Sequence, residues 1–345
     1  MRHDDDLLSL IVAITRMSSI EQLKNTGFLV NRQMMLKNLF AILLPVLFAV
    51  FFLPIFAMDA SSGETGAGQI IDMLIDIIPT NIIEPFETNN TLQVSVMALL
   101  LGFFLLAMKS RTKNLTIFIN EANQVMLAIV SWVCLGLPAY IYISFLTLFL
   151  DDKLSALKDG LIIFVMVAVV GFIYIASTKL ITALRYHVPL RANLKYTMPV
   201  FLKTLGTDSS IASLEPNRQA AVKHFGVKEE NVDFPLAISQ LLYTVDMIIH
   251  YSCCIFCLTY IFDIKFNLLA LVYMLINIFI CSLATPPVAG STIVLMSSLI
   301  VMAGLPDDAL IIYSALFIVI DSLATAVKCC CVCDELVAID QKMKK

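Results

Sequence analysis

Apolar residues run along this chain in long blocks. Leu36 to Met58, Ile77 to Leu106, Ile117 to Leu150, Gly160 to Leu184, Phe234 to Phe262, Asn267 to Met302 and Ala309 to Val337 are mainly apolar, and a helix needs about 20 apolar residues to cross a bilayer. Polar and charged residues collect between the blocks, so the pattern predicts an all-α polytopic membrane protein. One block is interrupted at its centre by Ala284-Thr285-Pro286-Pro287-Val288-Ala289-Gly290. Two prolines and a glycine remove donors and break a helical ladder, so two half-helices meeting at a turn are expected there. Within a membrane such a turn is tolerated where it is buried in protein or lines a watery cavity. The block after Gly304-Leu305-Pro306 carries Asp321, Thr325, Lys328 and Cys329 among apolar neighbours. Charges on a span next to a broken helix are how binding sites of secondary transporters are built.

Composition strengthens the membrane assignment and adds little else. The 345 residues are 59% hydrophobic and 14% charged, with mean hydropathy +0.88; soluble domains are about 45–50% apolar and about 25% charged. No basic run interleaved with aromatics suggests nucleic-acid binding. Most of the nine cysteines lie inside apolar runs, where Cys acts as a small hydrophobe. Cys330 and Cys333 have CxxC spacing without a second ligand pair, so a structural role outweighs a metal or redox site. No nucleophile–base pair or metal-ligand set points to an enzyme. Basic residues cluster at Lys24 to Lys37, Lys109 to Lys113, Arg185 to Lys203, Arg218 to Lys228 and the C-terminus, whereas Asp59 to Asn90 contains no Lys or Arg. The positive-inside rule places those basic loops, and the C-terminus, in the cytoplasm.

Several polar residues have two readings. The stretch Leu205 to Pro216, with Ser209 and Ser210, is either a serine-rich cytoplasmic loop with Ser209 as a helix N-cap, or an anion-binding tip at a half-helix N-terminus. Asp246 and His250 are spaced i, i+4 and share a helix face. They are either a buried pair satisfying each other or a proton-titrating pair, since His changes charge near neutral pH. Lys328 either meets a substrate carboxylate or snorkels to the interface.

Ala284 to Pro306, ATPPVAGSTIVLMSSLIVMAGLP, resembles the second re-entrant hairpin of the glutamate-transporter-like dicarboxylate/amino acid:cation symporter family. Ile77 to Leu106, with its Pro-x-Asn entry and Leu-Gln-Val-x-Val core, resembles that family's fourth helix. The resemblance runs from about Arg16 to Leu336. It implies a glutamate-transporter-like fold with two re-entrant hairpins, at about 196–216 and 267–305. It further implies a partial N-terminal helix and connector over 1–35, mainly scaffold helices over 36–150, mainly transport elements over 151–345, and a homotrimer in the plasma membrane. Against the family pattern the first helix and half of the second are absent. Leu7 to Ile14 is too short to span and is expected to pack as a half-span.

Carried over position by position, the resemblance implies a substrate site of Ser209, Ser210, Thr285, Val288, Gly290, Thr325, Lys328 and Cys329. Thr325 stands where the family has an Asp for a substrate amino group. Lys328 stands where it has an Arg clamp, keeping the charge but losing the bidentate fork. The coupling-ion or proton positions are Thr244, Asp246, His250 and Asp321, in the register that puts Asp246 on the Asp of Asn-Met-Asp-Gly-Thr. A second register, from Pro235, would put Tyr243 there. Met247-Ile248 replaces Gly-Thr and resists unwinding. Val332, Leu336 and Pro45-Val46 replace further sodium ligands, although Asp334 or Glu335 could substitute. Hard cations need several oxygens, so sodium coupling is disfavoured and proton coupling stays open. The expected activity is symport of a small carboxylate-bearing solute, without a cofactor. The alternative is a transport-incompetent homologue serving as a membrane sensor or partner protein.

Overall fold

A computed structural model describes residues 27–55, 111–134, 154–210, 213–285 and 291–344, with isolated positions between 81 and 143. The helices are α1 (Phe28–Phe52), α2 (Lys113–Cys134), α3 (Leu154–Tyr186), α4 (Leu190–Thr207), α5 (Leu214–Gln219), α6 (Asp233–Leu242), α7 (Val245–Ile261), α8 (Leu268–Ala284), α9 (Ser291–Met302) and α10 (Asp307–Met343). A π-helical turn, Ala220–His224, and a 3-10 turn, Glu229–Asn231, join α5 to α6. No strand occurs among the described residues. Phe28–Phe52, Gly160–Tyr186, Ile238–Ile261 and Asp307–Met343 are long and apolar enough to cross a membrane. The fold is all-α and polytopic.

The expected block Leu36 to Met58 shifts toward the N-terminus. α1 ends at Phe52 because Pro54 lacks a donor and disfavours helical backbone at Leu53. Phe234 to Phe262, expected as one span, is two helices with a break at Tyr243 and Thr244. Leu7 to Ile14, most of Ile77 to Leu106 and the end of Ile117 to Leu150 lie outside the described residues.

Burial on α1 is inverted relative to a soluble helix. It buries Gln33 and Asn38 beside Val30, Met34 and Ala41, and turns Leu36, Leu39, Leu43, Leu47 and Val50 outward. α3 does the same, with Thr178, Lys179 and Thr182 inside and Leu161, Val165, Val169 and Phe172 outside. Polar groups face protein and apolar groups face lipid, as a bilayer solvent requires.

The chain forms two compact units. One comprises the described residues of Leu53–Ala156 and Leu258–Ala315, and within it α8 packs on α9. α8 is N-capped by Asn267, whose Oδ1 accepts the Ala270 N–H at 2.7 Å. It closes at Thr285, whose hydroxyl donates to the Cys281 carbonyl at 2.8 Å. α9 ends in a Schellman motif: Leu305 N–H reaches the Ile300 carbonyl and Gly304 N–H the Val301 carbonyl, with Gly304 at φ 69. At 1.5 Å per residue these helices reach about 25 and about 18 Å, short of a hydrocarbon core of about 30 Å.

The other unit comprises the described residues of Glu21–Phe52, Leu157–Cys257 and Leu316–Lys345. Its centre is α10, where every residue from Ile320 to Asp340 is buried. α3 approaches α10 closely at Gly171, where an added Cβ would stand 2.7 Å from Cγ2 of Val327. Gly171→Ala should therefore destabilise the protein by roughly 1–3 kcal/mol through overpacking. The double change with Val327→Ala should recover most of the loss in thermal unfolding measured in detergent.

Candidate functional site

Five acidic or basic residues of α10 are buried: Asp321, Lys328, Asp334, Glu335 and Asp340, of which Asp321 is the most exposed at 6%. Buried charges are stable only when paired and hydrogen-bonded, and each of these meets a partner from another element. Asp321, Lys328 and Glu335 recur every seven residues and so share one helix face, drifting by about 20° per step. Opposite the first two runs α7. Oδ2 of Asp246 lies 3.2 Å from the Lys328 ammonium, and Nδ1 of His250 lies 3.2 Å from Oδ1 of Asp321. The rungs run in opposite senses along the two helices, as antiparallel packing requires.

These contacts revise the reading of Asp246 and His250 as a pair. They share a face, but each reaches across to α10, because a full ammonium is a stronger partner for a carboxylate than a neighbouring imidazole. Lys328 does not extend along an exposed surface; its ammonium is buried on Asp246. The other oxygen of Asp246, Oδ1, is buried without a hydrogen-bond partner among the described groups. Thr325 is buried on α10 between Asp321 and Lys328.

The break between α6 and α7 lies beside this pair and is built by Asn38 of α1. Asn38 Nδ2 donates to the Leu242 carbonyl at 2.7 Å, and its Oδ1 accepts the Thr244 N–H at 3.2 Å. One amide thus replaces two bonds missing from the ladder. Tyr243 fixes the break from the other side, its hydroxyl 2.9 Å from that of Tyr174 on α3. Met247 and Ile248 remain helical, and Ile248 N–H donates to the Thr244 carbonyl at 3.0 Å. The opening thus falls one turn before the Met247-Ile248 positions.

The serine-rich stretch follows α4. Asp208 closes α4 in the left-handed conformation, φ 49, with its N–H on the Thr204 carbonyl at 2.8 Å; Asp tolerates this region better than most residues. Ser209 and Ser210 are half-buried. The N-cap position of α5 belongs to Ser213, not Ser209, and it makes no side-chain capping bond. The Ser213 hydroxyl donates to the Ser210 carbonyl at 2.6 Å. Asn217 donates to the Cys329 carbonyl at 3.0 Å. The structure therefore brings Ser209, Ser210, Thr244, Asp246, His250, Asp321, Thr325, Lys328 and Cys329 into one unit. Thr285 belongs to the other, and Val288 and Gly290 lie outside the described residues.

Sequence reasoning missed the partners below Lys328. Lys179 of α3, 1% exposed, sits 2.5 Å from Asp334 and donates to the Cys330 carbonyl at 2.8 Å. Asn193 of α4 donates to the other Asp334 oxygen at 2.6 Å. Glu335 takes Lys37 and Gln33 of α1, each at 3.0 Å, and Gln33 in turn accepts from Lys342. Asp340 takes Lys344 at 2.5 Å and Asn231 at 2.8 Å. Asp334 and Glu335, considered as replacement cation ligands, thus already hold ammonium groups of the chain. Among the described residues no three His, Cys, Asp or Glu side chains gather around a metal position, and eight cysteines are buried and free. The one signal for Lys179 in the sequence was a single charge inside an apolar block.

A membrane helix core with paired charges, a helix break at its centre and a hydroxyl-rich turn against it fits a family comparison. The sodium:dicarboxylate symporter family matches residues 7–333. The chain belongs to this family. No curated protein matches it. Membership makes it a multi-pass membrane protein of the sodium/dicarboxylate symporter type in general, and points to transport and away from catalysis.

Lys179→Met should cost about 3–5 kcal/mol, because it strands a buried carboxylate. Lys179→Met combined with Asp334→Leu should recover much of that loss in the same thermal assay. Equal stability of Lys179→Met and the parent chain would show that Asp334 is not held by Lys179.

Proposed function

We propose that this symporter-family protein carries a small carboxylate-bearing solute, such as a dicarboxylate or an amino acid, in company with protons. The observation that carries the reading is the buried Lys328–Asp246 pair beside the break at Tyr243 and Thr244. Lys328 supplies the single positive charge that a carboxylate would seek there. Ionised Asp246 already neutralises it, so an arriving anion would add an uncompensated buried charge, which is costly. Protonation of Asp246, or of His250 on Asp321, removes that excess. Anion binding and proton uptake are then linked.

Sodium is a poor fit as the partner ion. Val332, Leu336, Met247 and Pro45-Val46 offer no side-chain oxygens where the family resemblance expects ligands, while Asp246, Asp334 and Glu335 are engaged by lysines. The helix pairs α4 with α5 and α8 with α9 fit re-entrant hairpins, since neither α8 nor α9 reaches across a bilayer by itself. By the same resemblance the protein is a homotrimer in the plasma membrane, with its C-terminus cytoplasmic.

Purified protein in proteoliposomes should take up radiolabelled dicarboxylates or acidic amino acids under an inward proton gradient, and replacing sodium by choline should change nothing. Lys328→Ala should abolish anion binding. Asp246→Asn, which mimics the protonated acid, should bind at pH 8 about as well as at pH 5. Steep sodium dependence would overturn the proton-linked reading. Folded protein that neither binds nor moves any such anion would instead favour the sensor or partner-protein reading, which the self-paired Lys328 also allows.

A further inference from the structure

Toward the C-terminal end of α10 the charges no longer balance. Both oxygens of Glu335 are served: Oε1 lies 3.0 Å from the Lys37 ammonium, and Oε2 accepts from Nε2 of Gln33 at 3.0 Å. The other end of the Gln33 amide, Oε1, accepts from Lys342. Lys342 is thus tied through a neutral amide to a carboxylate that already has its cation. Among the described residues it makes no ion pair of its own. Asp340, the other acid nearby, is taken by Lys344 and Asn231.

Two arginines stand at the same level. α1 runs antiparallel to α10, since Lys37 meets Glu335 and Gln33 meets Lys342. Arg32, next to Gln33, is therefore exposed at the level of Lys342. α3 runs parallel to α10, since Gly171 packs on Val327 and Lys179 bonds Asp334. Seven residues further along each helix, Tyr186 comes level with Gln341, which brings the exposed Arg185 to the same end. Arg32, Lys37 and Arg185 are accordingly the cations whose charge bears on Lys342. Four cations share one carboxylate there. Both arginines also terminate lipid-type surfaces. Arg32 continues the outward stripe of Leu36, Leu39 and Leu43, and Arg185 adjoins the outward Ile181 and Leu184. The two helices meet through Phe40 and Tyr174, with ring centroids 5.8 Å apart.

We propose that Arg32, Arg185 and Lys342 form a binding site for the headgroup of an anionic glycerophospholipid, whose acyl chains lie along the outward leucines of α1 and α3. Guanidinium forks suit phosphate oxygens, and basic pockets between helices at a membrane surface hold anionic headgroups. The surplus of positive charge selects net charge as well as phosphate. A zwitterionic lipid would bring its own ammonium into the same patch and lose part of the attraction. A soluble phosphate would meet the same cations but has no chains for the apolar stripes below them. Lys342 lies fourteen residues from Lys328, about 21 Å along α10. The lipid site is therefore separate from the Asp246–Lys328 pair and does not depend on what the protein carries.

The test uses the full-length chain purified in a nonionic detergent, with phosphatidylglycerol and phosphatidylcholine of identical acyl chains added in equal amounts. Native mass spectrometry reads which lipid is retained, and thermal unfolding is followed with each lipid alone. The parent chain should retain phosphatidylglycerol several-fold over phosphatidylcholine and unfold several degrees higher with it. A basic residue close to an anionic headgroup is worth roughly five-fold in binding. Arg32→Gln with Arg185→Gln should therefore lower phosphatidylglycerol retention by about 25-fold and remove most of the thermal shift. Lys203→Gln with Lys223→Gln, which removes two exposed cations elsewhere, should leave both readouts as in the parent. Equal retention of the two lipids overturns the site, as do equal losses in the two double variants. Equal protection by millimolar glycerol 3-phosphate also overturns it, because the ligand would then be a soluble phosphate. If the arginine variant does not fold, Lys342→Gln replaces it and should lose about five-fold; unchanged retention there overturns the proposal as well.

Discussion

A charge inside an apolar helix bundle has to be met by an opposite charge or by hydrogen bonds, and α10 buries five such groups between Asp321 and Asp340. That requirement fixes the rest of its unit. α7 supplies His250 and Asp246, α3 supplies Lys179, α4 supplies Asn193, α1 supplies Lys37 and Gln33, and the turn before α6 supplies Asn231. Each helix around α10 is thus held by at least one polar contact as well as by packing. With lipid outside, apolar contacts alone would not choose among registers, because a leucine is as well solvated by acyl chains as by another helix.

The same contacts define what the site can do. Asp334 and Glu335 in the lower half of α10 are each held by a lysine. The upper half differs. One oxygen of Asp246 has no hydrogen-bond partner among the described groups, and His250 lies 3.2 Å from Asp321. Lys328 is the lone cation among these acids.

Backbone breaks in this unit are covered by side chains. The opening at Tyr243 and Thr244 persists without a glycine because Asn38 bonds both exposed backbone groups and Tyr174 anchors Tyr243. The site's flexibility, or the lack of it, is therefore written on α1 and α3 as much as on α7 itself.

Block hydropathy alone determined the helical, membrane-spanning class, the interruption after Ala284, and the value of Asp321 and Lys328 as charges too costly to bury without a function. Those are local properties, since length, proline and charge act where they stand. The motif at Ala284 to Pro306 pointed to the family that matches residues 7–333. Pairing was not legible. Asp246 and His250 look like partners at i, i+4, yet Lys328 and Asp321 claim them, and Lys179 and Asn38 carried no motif at all. Which charge meets which depends on how helices far apart in sequence pack side by side, and only the tertiary structure decided that.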